Sequence, residues 1–276
     1  MNLRLSQLAV VAACMMSTLI AAHAPAAPAA DVIFAIGDGG ALEPIAVRNG
    51  GTFVNPGSND GGPSQNLANA AASALASNGN RVHVIFGGRV VATVAAAVDH
   101  GQAHITVPPS LHLNGHVSAL ASTLGGYAKS ARRAPSAAER RAALTTAAAK
   151  LNTTVARLTV RNLTAIDLGR GTAFVGTVDL RGTGTPRVDK RLFFVDELLV
   201  GGNGFVQSLA NVQTITVTEA LLEEPAEYLV DAVDLGDTPA LVTNIIGYDA
   251  STFAIYTRAK AGHTWTKVYT GGGAAM

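Results

Sequence analysis

Three carboxylates lie within seven residues at a glycine turn, Asp231-Ala-Val-Asp234-Leu-Gly236-Asp237. Carboxylates at such spacing are the raw material of a calcium loop, which needs about six or more oxygens converging on one ion. Just upstream, Glu223-Glu224 with Glu227 could form a pair of acid–base carboxylates. Pro225 beside them reads more simply as a solvated turn. Were the protein a hydrolase, its site would lie in this acidic segment, residues 219–237. Asp196-Glu197 sit instead inside an apolar run, LFFVDELLV. Strand alternation points one of the two inward, where a carboxylate needs a partner, and the basic segment just upstream is expected to supply it. The pair reads as structural.

Five histidines cluster at His83, His100, His104, His112 and His116, with two H-x-x-x-H spacings. On a helix that spacing suits zinc. Gly101, Pro108-Pro109 and Gly115 argue against helix, and on a strand the rings would stand roughly 13 Å apart at about 3.3 Å per residue. They are expected to be surface strand histidines. Gly37-Asp38-Gly39-Gly40 could cradle an anion; without the Lys-Ser/Thr of a P-loop it reads as a turn. Neither G-x-S-x-G nor H-E-x-x-H occurs, and nothing groups a serine, a histidine and an aspartate into a triad. No catalytic residue is assigned.

The elements that must position these groups are mostly short β-branched runs between glycine turns. Arg81–Phe86 and Arg89–Val94 flank Gly87-Gly88, a two-residue hairpin signal. Further strands are expected at 104–107, 156–160, 172–180, 192–200 and 205–209, and a closing meander at 240–248, 252–258 and 264–269. Ser136-Ala-Ala-Glu139 is a capping box that opens an alanine-rich helix ending at Lys150. A second helix is expected over 65–77, and a Gly-, Asn- and Pro-rich loop over 50–63. The expected fold is mainly β (α+β): antiparallel hairpins or a meander with one or two short helices. A boundary near 130–135 would divide an N-terminal β-rich unit, 31–130, from a C-terminal α+β unit, 131–276.

One segment recurs. Residues 165–175, AIDLGRGTAFV, and 232–242, AVDLGDTPALV, agree at six of eleven positions, 67 residues apart. Both resemble worn copies of the D-x-D-G-D-G calcium loop of FG-GAP/VCBS-type repeats, the integrin-α-like kind found in secreted bacterial proteins. That resemblance implies an FG-GAP-like β unit in the C-terminal part. It also implies calcium as the metal, with Asp231, Asp234 and Asp237 as its candidate ligands at the second copy, but the first copy keeps only Asp167 and carries Arg170. The second lacks carboxylates at its leucine, glycine, threonine and proline positions. The loops are therefore expected to survive as turns, with no bound cofactor.

The N-terminus has one cation, Arg4, then an apolar stretch from Leu8 to Ala22 and a small-residue, proline-containing end. This is the layout of a secretion signal, and its apolar core is short of the roughly 20 residues of a membrane span. Residues 1–30 are read as a signal peptide, cleaved after Ala24, Ala26 or Ala30, the last preferred. Val11-Ala-Ala-Cys14 resembles a lipobox, so a lipoprotein anchored through Cys14 is the alternative to a secreted or periplasmic protein. Without residues 1–30 the chain has 246 residues, 19 cations and 19 anions. That balance argues against nucleic acid as partner. Residues 129–191 hold 13 Lys or Arg against 4 acids, while 192–257 hold 10 acids and no Lys or Arg. The two stretches are expected to neutralise each other as neighbours. The functional expectation is an exported, non-catalytic binding or interaction protein with a protein or glycan partner, the alternative being the secreted hydrolase.

Overall fold

The computed structural model describes residues 31–49, 51–54, 64–99, 102–109, 111, 119–127, 132–198, 204–217, 225–236, 238–247, 251–259 and 262–272. Residues 1–30, read above as a signal peptide, and with them Cys14, lie outside them. The fold is mainly β, with antiparallel sheets and two short helices. No helix among the described residues is long and apolar enough to cross a membrane.

The N-terminal strands are β1 (Asp31–Ile36), β2 (Ala41–Asn49), β3 (Thr52–Val54), β4 (Arg81–Phe86), β5 (Arg89–Asp99), β6 (Gln102–Ile105) and β7 (Leu120–Ser122). They pair in the order β1-β7-β4-β5-β6-β2, and β1 also pairs with β2, so the sheet closes into a ring with β3 appended to β2. A closed sheet has an inside and an outside, and β1 supplies both: Val32, Phe34 and Ile36 face one apolar cluster, Ile33 and Ala35 another. The first cluster also holds Ala71, Ala74 and Leu75 of helix α1 (Ser64–Ser77), which therefore packs into the ring. The β4–β5 hairpin turns at Gly87-Gly88, whose φ angles of 68° and 76° suit a primed turn. Of the expected loop at 50–63, residues 52–54 form β3 and 55–63 lie outside the described residues.

Two further sheets follow, each a four-stranded meander in sequence order. The outer sheet contains β8 (Leu158–Asp167), β9 (Thr172–Leu180), β10 (Arg187–Leu198) and β11 (Phe205–Val217). The middle sheet contains β12 (Ala226–Asp234), β13 (Pro239–Ile246), β14 (Ser251–Thr257) and β15 (Thr266–Gly271). The 67-residue repeat maps onto the first hairpin of each meander, β8–β9 and β12–β13.

The repeat also sets the stacking. In the outer sheet Ile166, Leu168, Ala173 and Val175 pack against the middle sheet. Their counterparts Val233, Leu235, Ala240 and Val242 pack against the outside of the ring. On the opposite faces, Ala165 and Phe174 meet helix α2 (Ala137–Lys150), whereas Ala232 and Leu241 meet the outer sheet. Each copy thus turns the same face toward the next layer, in the order α2, outer sheet, middle sheet, ring. Helix α2 begins at the expected capping box: the Glu139 N–H donates to Ser136 Oγ at 3.3 Å and the Ser136 N–H to Glu139 Oε2 at 2.8 Å.

Among the described residues the charged side chains pair both within the basic stretch and across to the acidic one. Arg133–Glu139, Arg161–Asp179, Arg191–Asp179 and Arg187–Asp189 are all pairs within the basic stretch itself. Across the two stretches Arg132 faces Asp231, and Arg191 reaches the Pro225 carbonyl at 2.7 Å. The pairs within the basic stretch are local because hairpin neighbours in one sheet are nearer than the strands of the next layer; five of the ten acids of 192–257 lie outside the described residues.

Candidate functional site

Of the expected calcium ligands, Asp231 and Asp234 turn to different partners. Asp231 is fully buried at a bulge in β12, and its Oδ1 accepts from the Ala232 N–H at 2.9 Å. Its carboxyl faces Arg132 and the Gly88 and Gly87 amides of the β4–β5 turn. Burial outweighs these partners and pushes the group up to about 6. Asp234 instead closes its own loop, Oδ1 accepting from the Gly236 N–H at 2.9 Å. Asp167 does the same with Gly169 at 2.8 Å. Both glycines take positive φ, 96° and 86°, as this Asx turn requires. Asp237 lies outside the described residues. With one carboxylate buried against the ring and the next engaged by its own turn, calcium is expected to leave the melting temperature unchanged. Thermal unfolding in millimolar calcium and in chelator tests this. A calcium shift abolished by Asp234→Ala would restore a working loop, since ligand at 100 times its Kd adds about 2.7 kcal/mol.

The other acids are built into the layers. Glu227 is not in a solvated turn but on β12. It accepts from Tyr256 Oη at 2.8 Å and Thr243 Oγ1 at 2.7 Å through Oε1, and from Asn211 Nδ2 at 3.2 Å through Oε2. Glu223 and Glu224 lie outside the described residues. Asp196 and Glu197 are both buried, on opposite faces of β10, because α2 covers one face and the middle sheet the other. Asp196 accepts from Thr146 of α2, and burial pushes it up to about 6. Glu197 Oε1 accepts from Arg258 Nε at 3.0 Å and Trp265 Nε1 at 2.7 Å. Its partner comes from 61 residues downstream, not from the basic segment upstream.

Among the described residues no three His, Cys, Asp or Glu side chains gather as a metal group. His83 pairs with Thr93 at 2.8 Å on the β4–β5 surface, and His104 lies on β6. His100, His112 and His116 lie outside the described residues. The Gly37–Gly40 amides serve the β1–β2 turn, Gly37 donating to Ala41 and Gly40 to Gly37.

One open concavity stands apart from these closed clusters. Helix α1 meets the ring beside β1, β2 and β6, leaving a cleft of about 280 Å³. Phe34, Leu42, Ala71 and Leu75 form its buried apolar floor. Glu43 and Gln102 stand among its lining residues, with Val98, half exposed, beside them. Glu43 has no hydrogen-bond or ionic partner among the described residues, and burial alone raises its carboxyl above the usual range. One sign of it stands in the sequence: an acid beside proline inside the otherwise apolar strand ALEPIAV.

Comparison with protein-family models, with curated proteins and with solved structures found no match to this chain.

Proposed function

We propose that the protein is an exported, non-catalytic binding protein whose ligand is a small amphiphile, apolar at one end and cationic at the other. The observation that carries this reading is an apolar cleft with Glu43, unpaired among the described residues, in its lining, while the other buried acids described above have partners inside the fold. Ligand sites are typically apolar concavities with a few placed polar groups, of about 300–1,000 Å³. A cleft of about 280 Å³, just below that range, suits a short chain. Export rests on the secretion-signal layout of residues 1–30. In the same reading the 67-residue duplication is a worn FG-GAP-type pair that keeps the Asx turns at Asp167 and Asp234 without a calcium set.

Calorimetric titration with n-hexylamine tests it, with n-hexanol as the uncharged control. Hexylamine is expected to saturate one site, and Ala72→Phe at the cleft should abolish binding. Glu43→Gln should weaken the amine about tenfold or more, since hydrogen bonds to charged groups contribute about 1.5–3 kcal/mol, and leave hexanol unchanged. If neither probe binds, or if Ala72→Phe binds as well as the parent, the cleft is not the site.

A further inference from the structure

Open strand edges invite pairing with another chain, and proteins blunt them by shortness, charge, proline or cover. Four of the edges here follow that rule. β3 has three residues, and β15 has six including Lys267. β8 is bridged at Ala165 by Arg133 and carries Arg161. β12 is bridged at Val233 by Gly126, and the Asp234 N–H donates to the Gly125 carbonyl at 3.0 Å.

β11 differs. It has thirteen residues, FVQSLANVQTITV, with no charge, proline or glycine, and it is the terminal strand of the outer sheet, paired with β10. Beyond that ladder, a backbone bond from Trp265 to the Ser208 carbonyl, 3.2 Å, engages its first half. The second half, Asn211–Val217, holds five β-branched residues in seven. That composition is the signature of a segment that pairs with copies of itself. On one face Val212, Thr214 and Thr216 are exposed, and Val188 lies opposite Thr216 on β10. Val212 and Val188 remain 44% and 39% exposed, two of the more exposed large apolar side chains among the described residues.

We propose that β11 is a homodimer interface, in which two copies pair antiparallel along residues 211–217 and join their outer sheets into one eight-stranded sheet. A two-fold axis near Thr214 sets like residues near one another, and an uncharged strand meets no repulsion there. On β10, Lys190 lies opposite Thr214. Across the dimer the two lysines stand three strand spacings apart, about 14 Å, beyond the roughly 8 Å screening length at physiological salt. Isologous pairing uses one edge on each copy, so assembly stops at two. A seven-residue ladder with one row of side chains is small beside a standard interface of about 1,600 Å², so the dimer is reversible and depends on concentration.

Sedimentation equilibrium of the full chain over a range of concentrations reads this directly. The parent should move from monomer to dimer. Thr214→Lys and Thr214→Glu, each on an exposed side chain, should weaken association at least tenfold while keeping the parent's melting temperature. Mixed in equal amounts they should recover the dimer, because the opposed charges then attract. Thr216→Lys should behave as Thr214→Lys does and stands in if one variant fails to fold. A parent that stays monomeric, a lysine variant that dimerises as the parent does, or a mixture that fails to reassociate would each overturn the proposal. Growth into species larger than a dimer would overturn the closed two-fold pairing.

Discussion

Arg258→Met should lower the unfolding free energy by about 3–5 kcal/mol, the usual cost of stranding one member of a buried ion pair. Arg258 and Glu197 are 2% and 3% exposed. The guanidinium also donates to the Leu168 carbonyl at 2.9 Å and stacks over Trp265 at 5.2 Å. Methionine keeps much of the volume but leaves the Glu197 carboxylate with the indole N–H and no cation in hydrogen-bond reach; His263 Nδ1 is 3.9 Å from Oε2. Adding Glu197→Gln should return most of the loss, because the uncompensated charge is then gone. Urea unfolding followed by fluorescence measures both, and Trp265, the one tryptophan in the chain, sits at the altered site. A loss below about 1 kcal/mol for Arg258→Met would mean that Glu197 is not held by this pair.

Acid should stabilise the protein through two carboxyls where most proteins lose stability. Burial raises Asp196 and Asp231 to about 6 each, and both are fully buried. Between their ordinary value of about 3.9 and about 6, the folded protein holds protons that the unfolded chain has released. Stability from these groups is therefore complete below about pH 4 and falls as pH rises to about 6. At roughly 1.4 kcal/mol per pH unit of difference, each amounts to about 2–3 kcal/mol. Groups such as Glu139, held down to about 2 first by Arg133, act in the opposite sense, so the comparison must be made against variants. Asp196→Asn with Asp231→Asn should be more stable than the parent at pH 7, with the advantage shrinking toward pH 4.5. An advantage that does not change with pH would show that neither carboxyl is protonated in the folded protein.

Local chemistry made much of this fold readable. The β4–β5 hairpin follows from Gly87-Gly88 between β-branched runs, and α2 from the Ser136–Glu139 box. β9 falls on residues 172–180 as expected. Closure of the ring was not readable, because it depends on pairings between distant strands: β1 with β7 and β2 with β6. β2 tolerates Pro44 beside the bulge in its ladder with β1, and β7 has three residues, so neither looks like a core strand. Alternation predicted one inward carboxylate at Asp196-Glu197, but a strand covered on both faces buries both. The cleft escaped notice because its walls, β2 and α1, are some thirty residues apart and its acid resembles a surface residue. The acidic segment 219–237 attracted attention by charge density alone, yet Glu227 and Asp231 bind layers together.

The middle sheet has a consequence for the order in which the chain can settle. Its strands, residues 226–271, supply one side of the apolar contact with the ring and one side of the contact with the outer sheet. A chain emerging from its N-terminus would form the ring's strands and the outer meander first, each with an uncovered apolar face. Among the described residues no earlier strand or helix lies between them, so both faces wait for the same late segment. Docking of that segment is then a single event that completes two cores at once, tying the far ends of the stack into one cooperative unit. Until it happens, the Ile33–Ile85 face of the ring and the Phe193–Val195 face of the outer sheet are surfaces a chaperone would have to cover.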